Sequence, residues 1–411
     1  MKILQKLLLV SMIVLTGCGN QEPLPLVSDN NYYINYEMKY YYGEEGETFT
    51  IDLEKDFFSE GIIVSYKNVI SNLRDEYDSF ELFTSFINDK PYGFDYKIID
   101  DFKAEVTFIP HNRPLYCRLL NTKENKCSRE ILLGYVYVKQ KDYIEVNSFE
   151  DLFPEDKVNI EYQTFILNKD LDYNDYQGVA RGAWLAQCNI LNPNNHVIRN
   201  LDFKDEIEVS QMVSLYQDIR NCYIENLIFE NVKFDFDVNN KETHLLHAAT
   251  LGYRAFNSVF KDIKINNFEF INTKDKTQTA AHVGGLVSNS SNVAFINNSI
   301  NLNVTQVCEE TELNSGRRNS VGGLSADDSL CNFLYLKNEI LNELNLKRFP
   351  VKYNKITGQI QGQDIVGGLF GIGYKYDIKD IDFNVINVEM SSPTGNIGNK
   401  HGYYSDHIKK A

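Results

Sequence analysis

Carboxylates are the side chains of this sequence whose types and spacing could support catalysis. Asp235 and Asp237 alternate along one predicted strand and therefore share a face, and Asp327-Asp328 follows a Gly-Gly turn. Two or three carboxylates on one exposed face could cleave or eliminate acidic polysaccharides, one acting as acid and another as base. A lyase of that kind also needs cations for the substrate carboxylate, and Arg317-Arg318 is the cluster that offers them. Because the chain has 57 acidic residues, a solvated edge explains the same pattern, so the enzyme is kept as the alternative.

Histidines form a second group that could do chemistry. His247 and His282 occupy similar places in two repeats, and His244 lies three residues before His247. Three imidazoles in one neighbourhood could bind zinc, but histidines that flank turns are more often solvated. The sequence contains no His-Glu-x-x-His, no Gly-x-Ser-x-Gly and no phosphate loop. We therefore predict no metal site and no cofactor.

The strands and turns that must position these residues come from a repeated sequence pattern. An apolar residue, any residue, and Asn or Asp recur in six phrases, beginning at Ile198, Ile224, Phe260, Ile296, Leu336 and Ile378. Five of them follow a segment ending in leucine, at Leu215, Leu251, Leu286, Leu324 and Leu369, a spacing of about 35 to 45 residues that is typical of solenoids. Three segments contain glycine pairs, Gly284-Gly285, Gly322-Gly323 and Gly367-Gly368. The alternating apolar residues indicate strands, the Asn and Asp positions indicate turns, and glycine permits positive φ or close backbone approach.

Val283-Gly284-Gly285-Leu286 followed by Ile296-x-Asn298 resembles the GLUG repeat of bacterial surface proteins. The resemblance covers residues 143–392 and implies a right-handed parallel β-helix. Some immunoglobulin-A peptidases carry this repeat in a non-catalytic part. Their metallopeptidase activity does not carry over, because the motif that it requires is missing. The expectation for this region is therefore a fold and a surface rather than a reaction.

The N-terminal sequence predicts where in the cell the protein is located. Lys2 and Lys6 precede a short apolar run, as in a secretory signal peptide over residues 1–17. Leu15-Thr16-Gly17-Cys18 resembles the lipobox of bacterial lipoproteins, which implies that Cys18 is lipidated and anchors the protein in a membrane. Gly19 after the cysteine implies the outer membrane of a Gram-negative cell. Residues 18–31 are expected to form a polar tether.

Residues 32–142 contain several short alternating strands separated by turn residues, which predicts an immunoglobulin-like β-sandwich. We therefore expect an all-β protein, an N-terminal β-sandwich followed by a right-handed parallel β-helix, with residues 393–411 as a C-terminal cap or tail. The sandwich would serve as a spacer or, alternatively, as the ligand-binding head.

Six cysteines remain besides Cys18, an even number that permits disulfides in an exported chain. Proximity favours Cys117 with Cys127. Cys188 and Cys222 are separated by close to one repeat, so they could lie on adjacent coils, about 4.8 Å apart and within the range of a disulfide. Buried free thiols are the alternative for these residues and for the remaining two, Cys308 and Cys331.

The net charge of −16 argues against nucleic acid as a partner. We predict a non-catalytic binding, adhesion or structural protein of the cell envelope, attached to the membrane by its lipid anchor. Its ligand would be a glycan or a protein. A carbohydrate-active enzyme and an assembly factor are the alternatives. The expected binding surface comprises Asn289, Asn292, Asn297, Asn301, Tyr374 and Tyr376.

Overall fold

The computed structural model describes most of the chain between residues 38 and 405. The described segments are 32–33, 38–58, 62–65, 70–87, 90–128, 130–153, 159–176, 183–203, 212–236, 245–273, 280–306, 319–328, 349–374, 383–393 and 395–405. Several residues singled out above lie outside them: Cys18, Asp237, His244, Cys308, Arg317-Arg318, Cys331 and Tyr376.

The structure belongs to the all-β class, with 63% strand and 6% helix, so the predicted class is confirmed. The helical segments among the described residues are single turns, at Leu53–Asp56, Leu73–Glu76, Phe149–Leu152 and, as a 3-10 turn, Tyr173–Asp175. Within the described segments, no helix is long and apolar enough to cross a membrane.

Four parallel sheets stack into a β-helix-like array of coils from Ile144 onward. Each complete coil contributes one strand to sheets 1, 2, 3 and 4 in that order. Sheet 1 contains Ile144–Val146, Thr164–Leu167, Asn189–Leu191, Tyr223–Glu225, Val259–Lys261, Ala294–Ile296 and Val351–Lys352. Sheet 2 contains Leu171–Asp172, Val197–Asp202, Ile228–Asp235, Lys264–Asn272, Ser299–Gln306, Lys355–Gln361 and Val385–Ser391.

Sheets 3 and 4 complete the coil. Sheet 3 contains Met212–Val213, Leu245–Ala249, Ala280–Gly284, Ser320–Gly322, Ile365–Gly367 and Asn396–Gly398. Sheet 4 contains Asn159–Glu161, Ala183–Ala186, Tyr216–Arg220, Gly252–Phe256, Val287–Ser291, Ser325–Asp328, Phe370–Tyr374 and His401–Ser405. The last strands of both sheets lie in the segment expected to be a cap or tail, so the coil continues further than predicted.

Apolar side chains from equivalent positions form ladders inside the coils. Ile224 pairs with Phe260, and Phe260 with Phe295, all fully buried, so the apolar residues of the second and third phrases lie in strands as predicted. Two phrases were placed wrongly. Ile198 lies in sheet 2 opposite Phe229, and Ile296 pairs with Lys261, one residue out of the expected register. A one-residue slip exchanges the two faces of an alternating strand, but Ala294, Phe295 and Ile296 are all apolar and buried, so the composition of this strand does not reveal the slip.

Turn residues between sheets 1 and 2 explain the recurrent Asn and Asp. Asn226, Asp262 and Asn297 have φ of 61°, 56° and 53°, in the left-handed region that Asn and Asp tolerate. A ladder of amide side chains is buried beside them. The Nδ2 atom of Asn298 donates to Asn354 Oδ1 over 2.9 Å, so amides satisfy one another from coil to coil.

The glycine pairs are required by close approach of the backbone. A Cβ atom on Gly322 would lie 2.0 Å from the carbonyl oxygen of Ser325 in the same turn. A Cβ atom on Gly323 would lie 2.3 Å from the carbonyl oxygen of Gly368 in the next coil. Gly284 and Gly285, and Gly367 and Gly368, repeat both approaches. None of these six has a positive φ, so that part of the expectation is wrong.

The N-terminal domain contains thirteen strands within the described segments. Their bounds are Tyr32–Tyr33, Lys39–Glu44, Thr48–Asp52, Ile62–Ser65, Ile70–Asn72, Ser79–Phe83, Ser85–Ile87, Lys90–Tyr92, Asp95–Asp100, Lys103–Thr107, Arg113–Asn121, Lys126–Cys127 and Ile131–Lys139. A five-stranded and a three-stranded sheet enclose one apolar core, to which Ile51, Val106, Leu115 and Leu133 belong. The strand Lys39–Glu44 pairs in parallel with Ile131–Lys139, whereas the other pairs of the domain are antiparallel.

This domain packs on the outer face of sheet 1. Tyr42 stacks on Tyr223 with ring centroids 4.0 Å apart. The hydroxyl of Tyr137 donates to the carbonyl oxygen of Asn257 over 2.6 Å. The Asn112 Nδ2 atom donates over 3.0 Å to the carbonyl oxygen of Asn221, in the turn from sheet 4 to sheet 1. The outer face of sheet 1 is therefore occupied by the chain itself.

The four cysteines of the predicted disulfides are buried, and Cys117, Cys188 and Cys222 are free thiols. Cys117 pairs with Leu82 and Ile131 rather than facing Cys127, which pairs with Leu120, so strand register excludes that disulfide. Cys188 and Cys222 do lie on adjacent coils, since each precedes a residue of the pair Asn189 and Tyr223. The expected stacking is thus present and the expected covalent bond is not.

Candidate functional site

The candidate catalytic acids lie on different faces of the coil. Asp235 ends a strand of sheet 2, where it contacts Lys233 Nζ at 3.3 Å. Asp327 lies on sheet 4, and Asp237 is outside the described residues. The coil therefore separates Asp235 from Asp327 instead of bringing them to one site.

Asp327 nevertheless has an unusual environment. Burial raises the pKa of its carboxyl to about 7, and the neighbouring Asp328 adds to the shift. Its Oδ1 atom has no hydrogen-bond partner among the described residues. Asp328 faces the interior, where its Oδ1 atom accepts a hydrogen bond of 2.7 Å from Ser290. Asp327 can therefore hold a proton near neutral pH.

The polar surface expected from the sequence is not a single surface. Asn289 is half-buried in sheet 4, whereas Asn292 is buried at the next corner, where its Nδ2 atom donates to Asn257 Oδ1 over 2.9 Å. Asn297 lies in the turn after sheet 1, and Asn301 is exposed on sheet 2. Tyr374 ends a strand of sheet 4. These residues lie on different faces of the coil because they are near one another in the sequence but do not occupy equivalent positions in successive coils.

Sheet 4 carries a surface that the sequence did not reveal, the aromatic–arginine strip, which consists of Trp184, Arg220, Tyr253, Arg254 and Phe256. The guanidinium of Arg220 lies 5.5 Å from the ring centroid of Trp184 and 5.4 Å from that of Phe256. Arg254 lies 5.1 Å from the Tyr253 ring and 6.0 Å from the Phe256 ring. Cations and aromatic faces thus alternate across three coils.

Asp218 holds the strip in place. Its side chain is fully buried, and its carboxylate accepts hydrogen bonds from both arginines, at 2.8 Å from Arg220 Nη2 and 3.1 Å from Arg254 Nη2. The side chains of Arg220 and Arg254 are 48% and 34% exposed. Trp184 is held at its edge, since Nε1 donates to Gln217 Oε1 over 2.9 Å. The strip is therefore ordered before any ligand arrives, while its faces remain accessible.

Two histidines continue the strip onto sheet 3. The ring of His247 lies 4.4 Å from that of Tyr253 and stacks on His282, with centroids 5.0 Å apart. Burial lowers the pKa of His247 to about 3, with further lowering by His282 and Arg254, and lowers that of His282 to about 4. The imidazoles are therefore neutral at neutral pH, unlike the solvated side chains expected.

One signal in the sequence could have identified the strip. Trp184, Asp218 and Arg254 are paired neighbours, as are Ala186, Arg220 and Phe256. Aligning the coils on the residues before Cys188, Cys222 and Ser258 would have placed these positions in columns. No metal-binding group of three or more His, Cys, Asp or Glu side chains occurs in the described part of the chain.

A comparison of the sequence with protein-family models gives no match, and a comparison with curated proteins gives none either.

Proposed function

We propose that this protein is a lipid-anchored, non-catalytic binding protein of the cell envelope, and that it binds an extended neutral glycan along the aromatic–arginine strip. The observation that carries the proposal is the strip itself, with aromatic faces and guanidinium groups arranged across adjacent coils of sheet 4. Successive coils are about 4.8 Å apart, so an extended ligand lying along the stack would meet one group after another.

A glycan suits this chemistry. The apolar face of a sugar ring can pack on an indole or phenyl face, while its hydroxyl groups accept hydrogen bonds from guanidinium and amide donors. The carboxylate of Asp218 already fixes Arg220 and Arg254, so binding would freeze little further side-chain motion. The net charge of −16 favours a neutral ligand over an anionic polymer.

The anchor and the finer fold are parts of the same proposal. Cys18 would carry the lipid in the outer membrane of a Gram-negative cell, and residues 18–31 would form the tether. We assign residues 32–142 to an immunoglobulin-like sandwich that serves as spacer; two sheets around one core support this assignment. Coils of GLUG type with right-handed winding are proposed for the rest, supported by the glycine approaches and the parallel pairing.

The test is a glycan array and calorimetry with the chain lacking residues 1–18. Trp184→Ala and Phe256→Ala should each weaken binding on the order of tenfold, which corresponds to about 1.4 kcal/mol. Tyr353→Ala is the control, since Tyr353 is an exposed aromatic residue, 54% accessible, that follows a strand of sheet 1. Equal effects of all three substitutions, or a failure to bind any neutral glycan, would refute the proposal.

A carbohydrate-active enzyme is the second candidate, and the raised pKa of Asp327, which lies on the sheet that carries the strip, favours it. A carboxyl with a pKa of about 7 has the property of a general acid. A reducing-end assay on neutral and uronate polymers would decide. Turnover that disappears in Asp327→Asn would replace the binding proposal by the enzyme.

A further inference from the structure

The spacing within the aromatic–arginine strip sets a length that its ligand must match. Trp184, Arg220 and Phe256 lie on three consecutive coils of sheet 4. The guanidinium of Arg220 lies 5.5 Å from the ring centroid of Trp184 and 5.4 Å from that of Phe256, so the two rings are no more than about 11 Å apart. Two coil spacings of about 4.8 Å each give nearly the same distance. These three side chains therefore form a row with an aromatic ring at each end and a cation midway.

The middle of this row offers hydrogen-bond donors in a fixed direction. The Nε and Nη2 atoms of Arg220 donate to the two carboxylate oxygens of Asp218, over 3.0 and 2.8 Å. This pairing uses one edge of the planar guanidinium group and leaves the N–H groups of Nη1 for a ligand. Asp218 is fully buried, whereas the Arg220 side chain is 48% exposed. Arg220 can therefore donate to a ligand on the strip without giving up its bonds to Asp218.

The row ends after three coils. On the coil beyond Phe256, the paired residue is Ser291, which is buried and has no aromatic ring. On the coil before Trp184, the paired residue is Asn159, which is exposed and polar. Contacts with aromatic rings and a cation are therefore limited to three steps along the stack.

A glycan with β-1,4 linkages matches this row. When both bonds to each hexopyranose ring are equatorial, the chain is straight, and one unit advances by about one coil spacing. Successive units are rotated by about half a turn, so the first and third units present the same face. Those two units can pack on Trp184 and Phe256, while hydroxyl groups of the middle unit accept hydrogen bonds from Arg220. An α-1,4-linked chain curves because one of its two bonds is axial, so its third unit leaves a straight row.

We propose that the strip selects straight β-1,4-linked chains of neutral hexopyranose units, with one unit per coil and three units in contact. The inference rests on the proposed function and deepens it, because it names the linkage and the length of the glycan. Glucose and N-acetylglucosamine units share this linkage geometry, and both have the ring faces and hydroxyl groups that the row would contact.

The test is calorimetry of the full-length protein, purified in a detergent without a sugar headgroup, with oligosaccharides of two to six units. Cello-oligosaccharides and chito-oligosaccharides carry the β-1,4 linkage, and malto-oligosaccharides of equal length carry the α-1,4 linkage. In at least one β-1,4 series the dissociation constant should fall about tenfold from two units to three and change less than about threefold from three units to six. Malto-oligosaccharides of three or more units should bind about tenfold more weakly.

Two variants locate the contact made by the third unit. In Trp184→Ala, chains of two and three units should bind equally, because one end of the row is missing. Tyr353→Ala removes an exposed aromatic residue outside the strip and should keep the wild-type difference between two and three units. The length series is measured on the wild type, so the test stays decisive if a variant folds poorly.

The outcomes separate this inference from the proposed function. Equal affinity for α- and β-linked chains, or the lack of a gain at the third unit, would overturn the inference. If Trp184→Ala still weakened binding in that case, the proposed function would stand. The lack of binding in all three series, or equal effects of Trp184→Ala and Tyr353→Ala, would overturn both.

Discussion

Gly323→Ala tests whether close packing of the coils requires glycine. The added methyl group would lie 2.3 Å from the carbonyl oxygen of Gly368 and 2.7 Å from Ile356 Cγ2. Since favourable contacts lie at roughly 3.5–4.0 Å, the neighbouring coil must move by about 1 Å. Overpacking of a core costs about 1–3 kcal/mol. We expect the upper end, about 3 kcal/mol, because the obstacle is backbone rather than a flexible side chain.

At about 2–4 °C per kcal/mol for a domain of this size, the melting temperature should fall by about 6–12 °C. The measurement is thermal unfolding followed by circular dichroism in the chain lacking residues 1–18, at one scan rate. Gly395→Ala is the control: a Cβ atom there meets nothing within 4 Å, although φ is 73°, so only backbone strain of about 1–2 kcal/mol is added. A fall below 2 °C for Gly323→Ala, or one no larger than the control's, would refute the reasoning.

Three further outcomes are expected. The free energy of unfolding should fall as pH decreases from about 6.5 toward 4, because the imidazole of His247 takes up a proton in the unfolded chain but not in the folded one. Denaturant titrations at both ends of this range should show a smaller fall in the His247→Gln variant. A fall equal to that of the wild type would contradict this expectation. Asp327 acts in the opposite direction, since its raised pKa costs stability as pH rises from about 4 to 7, so Asp327→Asn should gain more stability over that interval than the wild type does. Cys18→Ser should abolish lipid labelling and release the protein from the membrane fraction, whereas membrane retention of the processed variant would show that the lipobox resemblance is coincidental.

Much of the coil could be predicted from the sequence, because its constraints act on residue types. Gly323 must lack a side chain, and Asn226 must tolerate a positive φ. Such needs recur in several coils and leave a visible pattern. The pairing register of the strands was harder to predict from the sequence. Ile198 fits a strand of either sheet 1 or sheet 2, and Ile296 lies in a strand whose three residues are all apolar, so only strand pairing fixes their places.

The candidate site was missed for a different reason. Outward-facing side chains need not fit against the next coil, so Trp184, Arg220 and Phe256 differ in type from coil to coil and form no motif. They become neighbours only through strand pairing. Asp218 shows the same limit, since one buried carboxylate that serves two arginines on different coils cannot be recognised before the coils are in register.

Trp184 is the single tryptophan of the chain, and it lies in the aromatic–arginine strip. Its fluorescence therefore reports directly on the surface proposed to bind the ligand. Titration with a neutral glycan selected on the array should change the emission of Trp184, with a midpoint equal to the dissociation constant from calorimetry. The same titration of Phe256→Ala should shift both values together, on the order of tenfold. Calorimetric binding that leaves the emission of Trp184 unchanged would place the ligand elsewhere and contradict the account.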